Sequence, residues 1–200
     1  GTIGGPIGPI HTLNFNTSVG IKTIGGYLNV LGDASITSAV TINGGEIRVG
    51  GNLFSVDSDV DGTTKWLLNG SGDQTLDVLD LSDGDLTINK GSGVVSLDND
   101  MVLNGAGQKL QLVAGIFSAY SHTIEATEIN IVGGTAQRLD TVIADVTVNN
   151  GGTIAMNVPS IATNGHDKLF IDGSLTLGAN SILALNLSGL ATGGVANELI

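Results

Sequence analysis

The residues best suited by type and spacing to chemistry are Asp57, Asp59 and Asp61, in the run Asp57-Ser58-Asp59-Val60-Asp61-Gly62. Carboxylates at alternate positions, followed by a glycine where the chain turns hard, open a calcium loop. The cation takes about six to eight oxygen ligands from a tightly curved segment. Position twelve of that loop, where a bidentate glutamate would close it, is Leu68, and no helical pattern flanks it. Two readings stay open: a Ca2+ site in a loop between structural units, or an acidic solvated turn. The Gly/Asp nonapeptides of calcium-binding β-rolls are absent.

Further carboxylates cluster at Asp77, Asp80, Asp83 and Asp85, and in Asp98-Asn99-Asp100. Carboxylates about 5 to 9 Å apart hydrolyse glycosides, so a polysaccharide-active enzyme is one alternative. The other is that acidic residues simply sit at strand ends. His166-Asp167 has the composition of a general-base pair, but sequence neighbours on a strand point to opposite faces. His11 and His122 show no ligand spacing, and Arg48 and Arg138 are the only arginines. No nucleophile elbow, phosphate loop or cysteine is present. Trp66, Tyr27, Tyr120 and Phe54 fit scattered core caps better than a sugar-stacking platform, and Thr37, Thr41 and Thr87 lack the regular spacing of an ice-binding lattice. No catalytic residue is assigned, and the expectation is a non-enzyme with no cofactor beyond the Ca2+ candidate.

The elements that must position these residues are read from composition and periodicity. The 200 residues include 7 Lys+Arg against 19 Asp+Glu, a formal net charge of -12. That excess argues against nucleic acid and anionic lipid, both of which need clustered cations. Without cysteine there are no disulfides or thiolate metal sites. There is no apolar run of about 18 residues to span a bilayer as a helix, and no signal-peptide pattern follows Gly1. A first residue other than Met suggests a processed product or a fragment of a longer chain. Aliphatic residues are abundant while aromatics are only 4%, and Gly numbers 31. This composition suits a narrow, regular core better than a globular one.

Period-two alternation recurs throughout, as in Leu28-Asn29-Val30, Ile47-Arg48-Val49, Leu86-Thr87-Ile88, Val146-Thr147-Val148 and Leu175-Thr176-Leu177. Each places two aliphatics on one face and a polar residue on the other, as half-buried strands require. Between them stand corner pairs such as Asn43-Gly44, Asp61-Gly62, Asn69-Gly70, Asn104-Gly105 and Asn150-Gly151. His11-Thr12-Leu13-Asn14 aligns with Gln74-Thr75-Leu76-Asp77 and then with Gln137-Arg138-Leu139-Asp140. Asp85-Leu86-Thr87-Ile88 likewise aligns with Asp145-Val146-Thr147-Val148. The resulting superrepeats lie near 11–73, 74–136 and 137–199 of one domain, 1–200. A three-sided coil takes about 20 residues, so each superrepeat would hold about three coils. The expected fold is all-β: a parallel β-solenoid of about nine coils, right-handed as parallel crossovers normally are. A sandwich or barrel would want longer strands and no fixed period.

The pattern Leu68-Asn69-Gly70-Ser71-Gly72-Asp73-Gln74-Thr75-Leu76, with Leu86-Thr87-Ile88-Asn89-Lys90 and Asp100-Met101-Val102-Leu103-Asn104-Gly105, resembles repeats of large secreted bacterial surface proteins of the filamentous-haemagglutinin kind. Asn164-Gly165-His166-Asp167-Lys168-Leu169-Phe170-Ile171-Asp172-Gly173-Ser174-Leu175-Thr176-Leu177-Gly178 is similar to the last coils of autotransporter passengers. The resemblance implies a parallel β-helix exported to the bacterial cell surface, serving adhesion or as a stalk. Neither Gly1–Ile10 nor Ala191–Ile200 reads as a polar cap. The expected partners are therefore further coils of the same chain or a second copy stacked end to end, with a host or matrix glycan or protein as an adhesive target. Calcium-dependent carbohydrate binding is a further alternative.

Overall fold

The structure, a computed structural model, describes residues 2–4, 9–16, 20–103, 105–157 and 167–186. Among these there is no helix, and every strand pairing is parallel. The chain winds as a β-solenoid. Its strands stack in three columns, here faces A, B and C.

Face A stacks Tyr27–Val30, Glu46–Val49 and Lys65–Leu68, then the first part of Leu86–Leu97 and of Lys109–Ser118. The last parts of Ile124–Ile131 and Thr141–Val148 follow, and finally Leu175–Leu177. Face B begins with Leu13–Phe15, Ala34–Ile36, Leu53–Ser55 and Gln74–Val78, and ends with Thr153–Asn157 and Ile182–Asn186. Face C holds Lys22–Gly25, Val40–Asn43 and Val60–Asp61 at one end. At the other it holds Met101–Leu103, the first parts of Ile124–Ile131 and Thr141–Val148, and Phe170–Ile171.

The alternation seen in the sequence becomes ladders of like residues. Val30, Val49, Leu68, Ile88, Leu112, Ile131 and Val148 stack inside face A, beside Leu28, Ile47, Trp66, Leu86, Leu110, Ile129 and Val146. All are buried. A single turn buries little on its own, and stacking at about 4.8 Å closes the core and satisfies the backbone.

The expected count of nine coils is corrected to about seven complete turns, with partial turns at both ends. Some turns are longer than about 20 residues. Val30, Val49 and Leu68 follow at steps of 19, but Ile88 to Leu112 takes 24 and Val148 to Leu177 takes 29. The strand pairings define the stacking of the turns and not their hand.

Several strands are longer than the sequence suggests. Leu86–Leu97 and Lys109–Ser118 run from face A into face B, and their register shifts between Ile88 and Val94, where the corner lies. Ile124–Ile131 and Thr141–Val148 turn from face C into face A in the same way. A bulge bends a strand at the cost of local pairing; in the first two strands the bend carries Gly93 at φ 74° and Gly115 at φ 94°, and in the other two no glycine marks it. Glycine makes other corners too. Gly62 has φ of 106°, and a side chain there would collide with the Ile42 carbonyl one turn below.

The aligned repeat has a structural register. Leu13 stacks through Ala34 and Leu53 to Leu76, three turns and 63 residues on. From Gln74 the stack passes Val95 and Phe117 to Ala136, so Gln137, its partner in the sequence alignment, stands one position away.

The ladders predict an asymmetry between faces of one strand. Ile88→Ala, which empties a fully buried rung between Leu68 and Leu112, costs about 3 kcal/mol. Thr87→Ala, on the outer side of that strand, changes stability by no more than about 0.5 kcal/mol. Chemical denaturation of the two variants measures both.

Candidate functional site

The acidic residues fall into place one corner at a time. An Asp or Asn stands directly before a strand at positions 33, 52, 73, 85 and 100, and Asp145 stands at the corner within Thr141–Val148, directly before its face A part. In each case its side-chain oxygen accepts the backbone N–H of the residue stacked on it in the next turn. Asp33 takes Asn52 at 2.7 Å, Asn52 takes Thr75 at 2.7 Å and Asp73 takes Val94 at 2.9 Å. Asp85 takes Lys109 at 3.2 Å, Asp100 takes Thr123 at 2.7 Å and Asp145 takes Ser174 at 2.9 Å.

The residue above is often held twice. Asn52, Thr123 and Ser174 also accept, through their carbonyls, the N–H of Ala34, Met101 and Val146. A strand's entry point is where the main-chain ladder begins and an N–H lacks a carbonyl opposite it. The Asx side chain supplies the acceptor.

A second set of staples lies inside. Gln74 accepts the Gly70 N–H at 3.0 Å and donates to the carbonyls of Val49, at 3.0 Å, and Gly51. Lys90, buried one turn above, donates to Gly70 at 2.7 Å, Gly72 at 2.8 Å and the Gln74 Oε1 at 2.5 Å. Burial lowers the Lys90 ammonium from its ordinary value, and Asp73 acts against that shift. Gln108 repeats the Gln74 pattern, accepting from Gly105 and donating to Ser82 and Gly84. Trp66 is wholly buried, its indole N–H donating to the Ser82 hydroxyl at 2.9 Å.

The calcium candidates are not gathered. Asp57 accepts the Asp59 N–H at 3.0 Å in a local turn, while Asp59 and Asp61 are exposed. Among the described residues no three His, Asp or Glu side chains group as cation ligands. Asp80 is buried and accepts from the N–H groups of Val60 and Leu81. Burial raises its carboxyl above the ordinary value, against the lowering effect of those two donors. Asp83 lies exposed beside it.

Tyr27 and Tyr120 are exposed, each with an arginine over its ring: Arg48 at 4.0 Å and Arg138 at 4.6 Å. Phe54 is half-buried and His11 is exposed. Asn104 and Asn164–His166 lie outside the described residues.

One concave surface stands out at the corner between faces B and C, an open groove of about 510 Å³. It crosses four turns and is lined by Val56, Asp77, Leu79, Asn99, Asp100 and His122 among others. Asn99 donates to Asp77 at 2.9 Å, and His122 Nδ1 lies 3.6 Å from Asp100. His122 is carried there by a turn with Tyr120 at φ 50° and Ser121 at φ 68°, closed by its own N–H on the Ala119 carbonyl at 2.9 Å. The sequence offered no signal that Asp77, Asp100 and His122, spread over 46 positions, share a surface.

Comparison of the chain with family models, with curated proteins and with solved structures gives no match.

Two measurements test the corner staples. Asp33→Ala, which removes the acceptor for Asn52, costs about 1 kcal/mol in denaturation, whereas Asp33→Asn keeps an acceptor and costs less. The Asp145 carboxyl is held below its ordinary value by the Ser174 N–H and hydroxyl. Its contribution is therefore present above the ordinary carboxylate value and lost as pH falls through the depressed one. Melting curves over a pH series check this: the gap between wild type and Asp145→Asn closes in that acid range and is constant above it.

Proposed function

We propose that this chain is a structural and adhesive module of an extracellular bacterial surface protein: a rod that stacks coil on coil. The observation that carries the reading is the last described turn. Leu175, Leu177 and Leu183 stack on Val146, Val148 and Ile154, which are buried. Yet these three leucines are 44%, 50% and 50% exposed. They present the ladder's own aliphatic chemistry beside a parallel strand edge. A parallel coil is complementary to the next one, so one more coil of the same kind fits this surface, from the same chain or from a second copy.

The disposition of the carboxylates supports a non-catalytic role. Asp33, Asp73, Asp85, Asp100 and Asp145 each serve a neighbouring turn's backbone. Among the described residues no helix is long and apolar enough to cross a membrane. The location at a bacterial surface rests on the repeat resemblance.

Analytical ultracentrifugation over a concentration series, with electron microscopy of the same samples, tests the stacking. The expected result is elongated species that lengthen with concentration and are lost in Leu175→Lys/Leu177→Lys. A protein that stays monomeric at high concentration and forms no filaments contradicts it.

A further inference from the structure

We propose that the groove between faces B and C docks a basic, extended segment of a partner protein. The partner's lysine or arginine stems lie on Val56 and Leu79, and their charged ends reach Asp77 and Asp100. This site does not depend on end-to-end stacking.

Val56 and Leu79 are 63% and 53% exposed and occupy consecutive turns, the Leu79 N–H bonding the Ser55 carbonyl at 2.8 Å. The inner ladders are tightly packed, so these two aliphatics turned outward at one corner form a separate apolar strip along the groove floor. Carboxylates border the strip: Asp77 and Asp100 in the lining, with Asp57 and Asp98 adjacent in sequence to it. Asp77 and Asp100 use single oxygens on Asn99 and Thr123, leaving further acceptor capacity toward solvent.

The chain's own lysines and arginines lie outside the lining. Arg48 pairs with Glu46, Lys109 with Glu128 and Lys90 is interior, while Arg138, at this corner one turn beyond His122, is engaged over the Tyr120 ring. No lysine or arginine lines the groove. The occupant must therefore bring positive charge and aliphatic surface together. Lysine and arginine side chains do this, with an apolar stem and a charged tip. A neutral glycan would stack on Trp, Tyr or Phe rings, and none of these lines this groove. The net charge of -12 also draws a basic segment toward the molecule.

Fluorescence anisotropy with a labelled short peptide of alternating lysine and leucine tests the site. Val56→Ser/Leu79→Ser and Asp77→Asn/Asp100→Asn are each expected to weaken binding about tenfold. Glu125→Gln/Asp172→Asn, which removes as much charge elsewhere, is expected to leave it unchanged. A lysine–serine peptide is expected to bind more weakly than lysine–leucine. Three results overturn the proposal: equal weakening in the charge-matched control, wild-type binding by both groove variants, or binding of a neutral oligosaccharide at the groove in place of the peptide. Thermal melts of each variant establish that it is folded.

Discussion

The structure depends on one constraint: every backbone N–H at the entry of a strand must find an acceptor one turn away. Within a face the parallel ladder provides it. At the entry the carbonyl that would serve lies past the corner, and an unpaired N–H held against the stack is costly. The chain meets this with a side-chain oxygen placed at the corner where a strand enters its face, from Asp33 near one end to Asp145 near the other. The same requirement explains why Asn52 occupies one of these sites, since an amide oxygen accepts as a carboxylate does.

Much of the molecule's charge follows from this. The acidic excess concentrates at corners and not in a cation cage. On face A it is partly balanced along the stack: Glu46 lies against Lys65, and Lys109 meets Glu128 at 2.5 Å. Asp85 stands between these pairs, accepting from Lys109's backbone and from Gln111. Opposite charges opposed across neighbouring strands stabilise a sheet modestly, and Arg48, Lys65 and Lys109 stand on this face. No lysine or arginine lines the groove between faces B and C, which gives it an acidic and apolar character.

The fold was legible because its signal is redundant. Leu28-Asn29-Val30, Ile47-Arg48-Val49 and Leu86-Thr87-Ile88 each say strand, and their recurrence says stack. The match of Asp85-Leu86-Thr87-Ile88 to Asp145-Val146-Thr147-Val148 already paired two staple residues of face A, although it carried no hint of what the Asp does. The turn count was less legible. Bulged corners inside Leu86–Leu97 and Lys109–Ser118 absorb extra residues, with Gly91, Gly93 and Gly115 standing inside continuous strands, so dividing length by a fixed period overcounts. The spacing of the run at Asp57 says less about geometry than about composition. Asp57 and Asp59 lie in the turn before Val60–Asp61, where Asp57 is engaged by the Asp59 N–H, and among the described residues no third carboxylate or imidazole gathers with them as cation binding needs. The groove was invisible because its residues are neighbours only through stacking.

The central claim is that side-chain oxygens before the strands complete the hydrogen bonding between turns. Amide hydrogen exchange at Asn52, Thr75, Val94, Lys109, Thr123 and Ser174 tests it most directly. The account predicts that these corner amides are protected at neutral pH to the level of the adjoining strands, and that Asp33→Ala removes the protection at Asn52 first. Exchange at the rate of open loop amides at these six positions would contradict it.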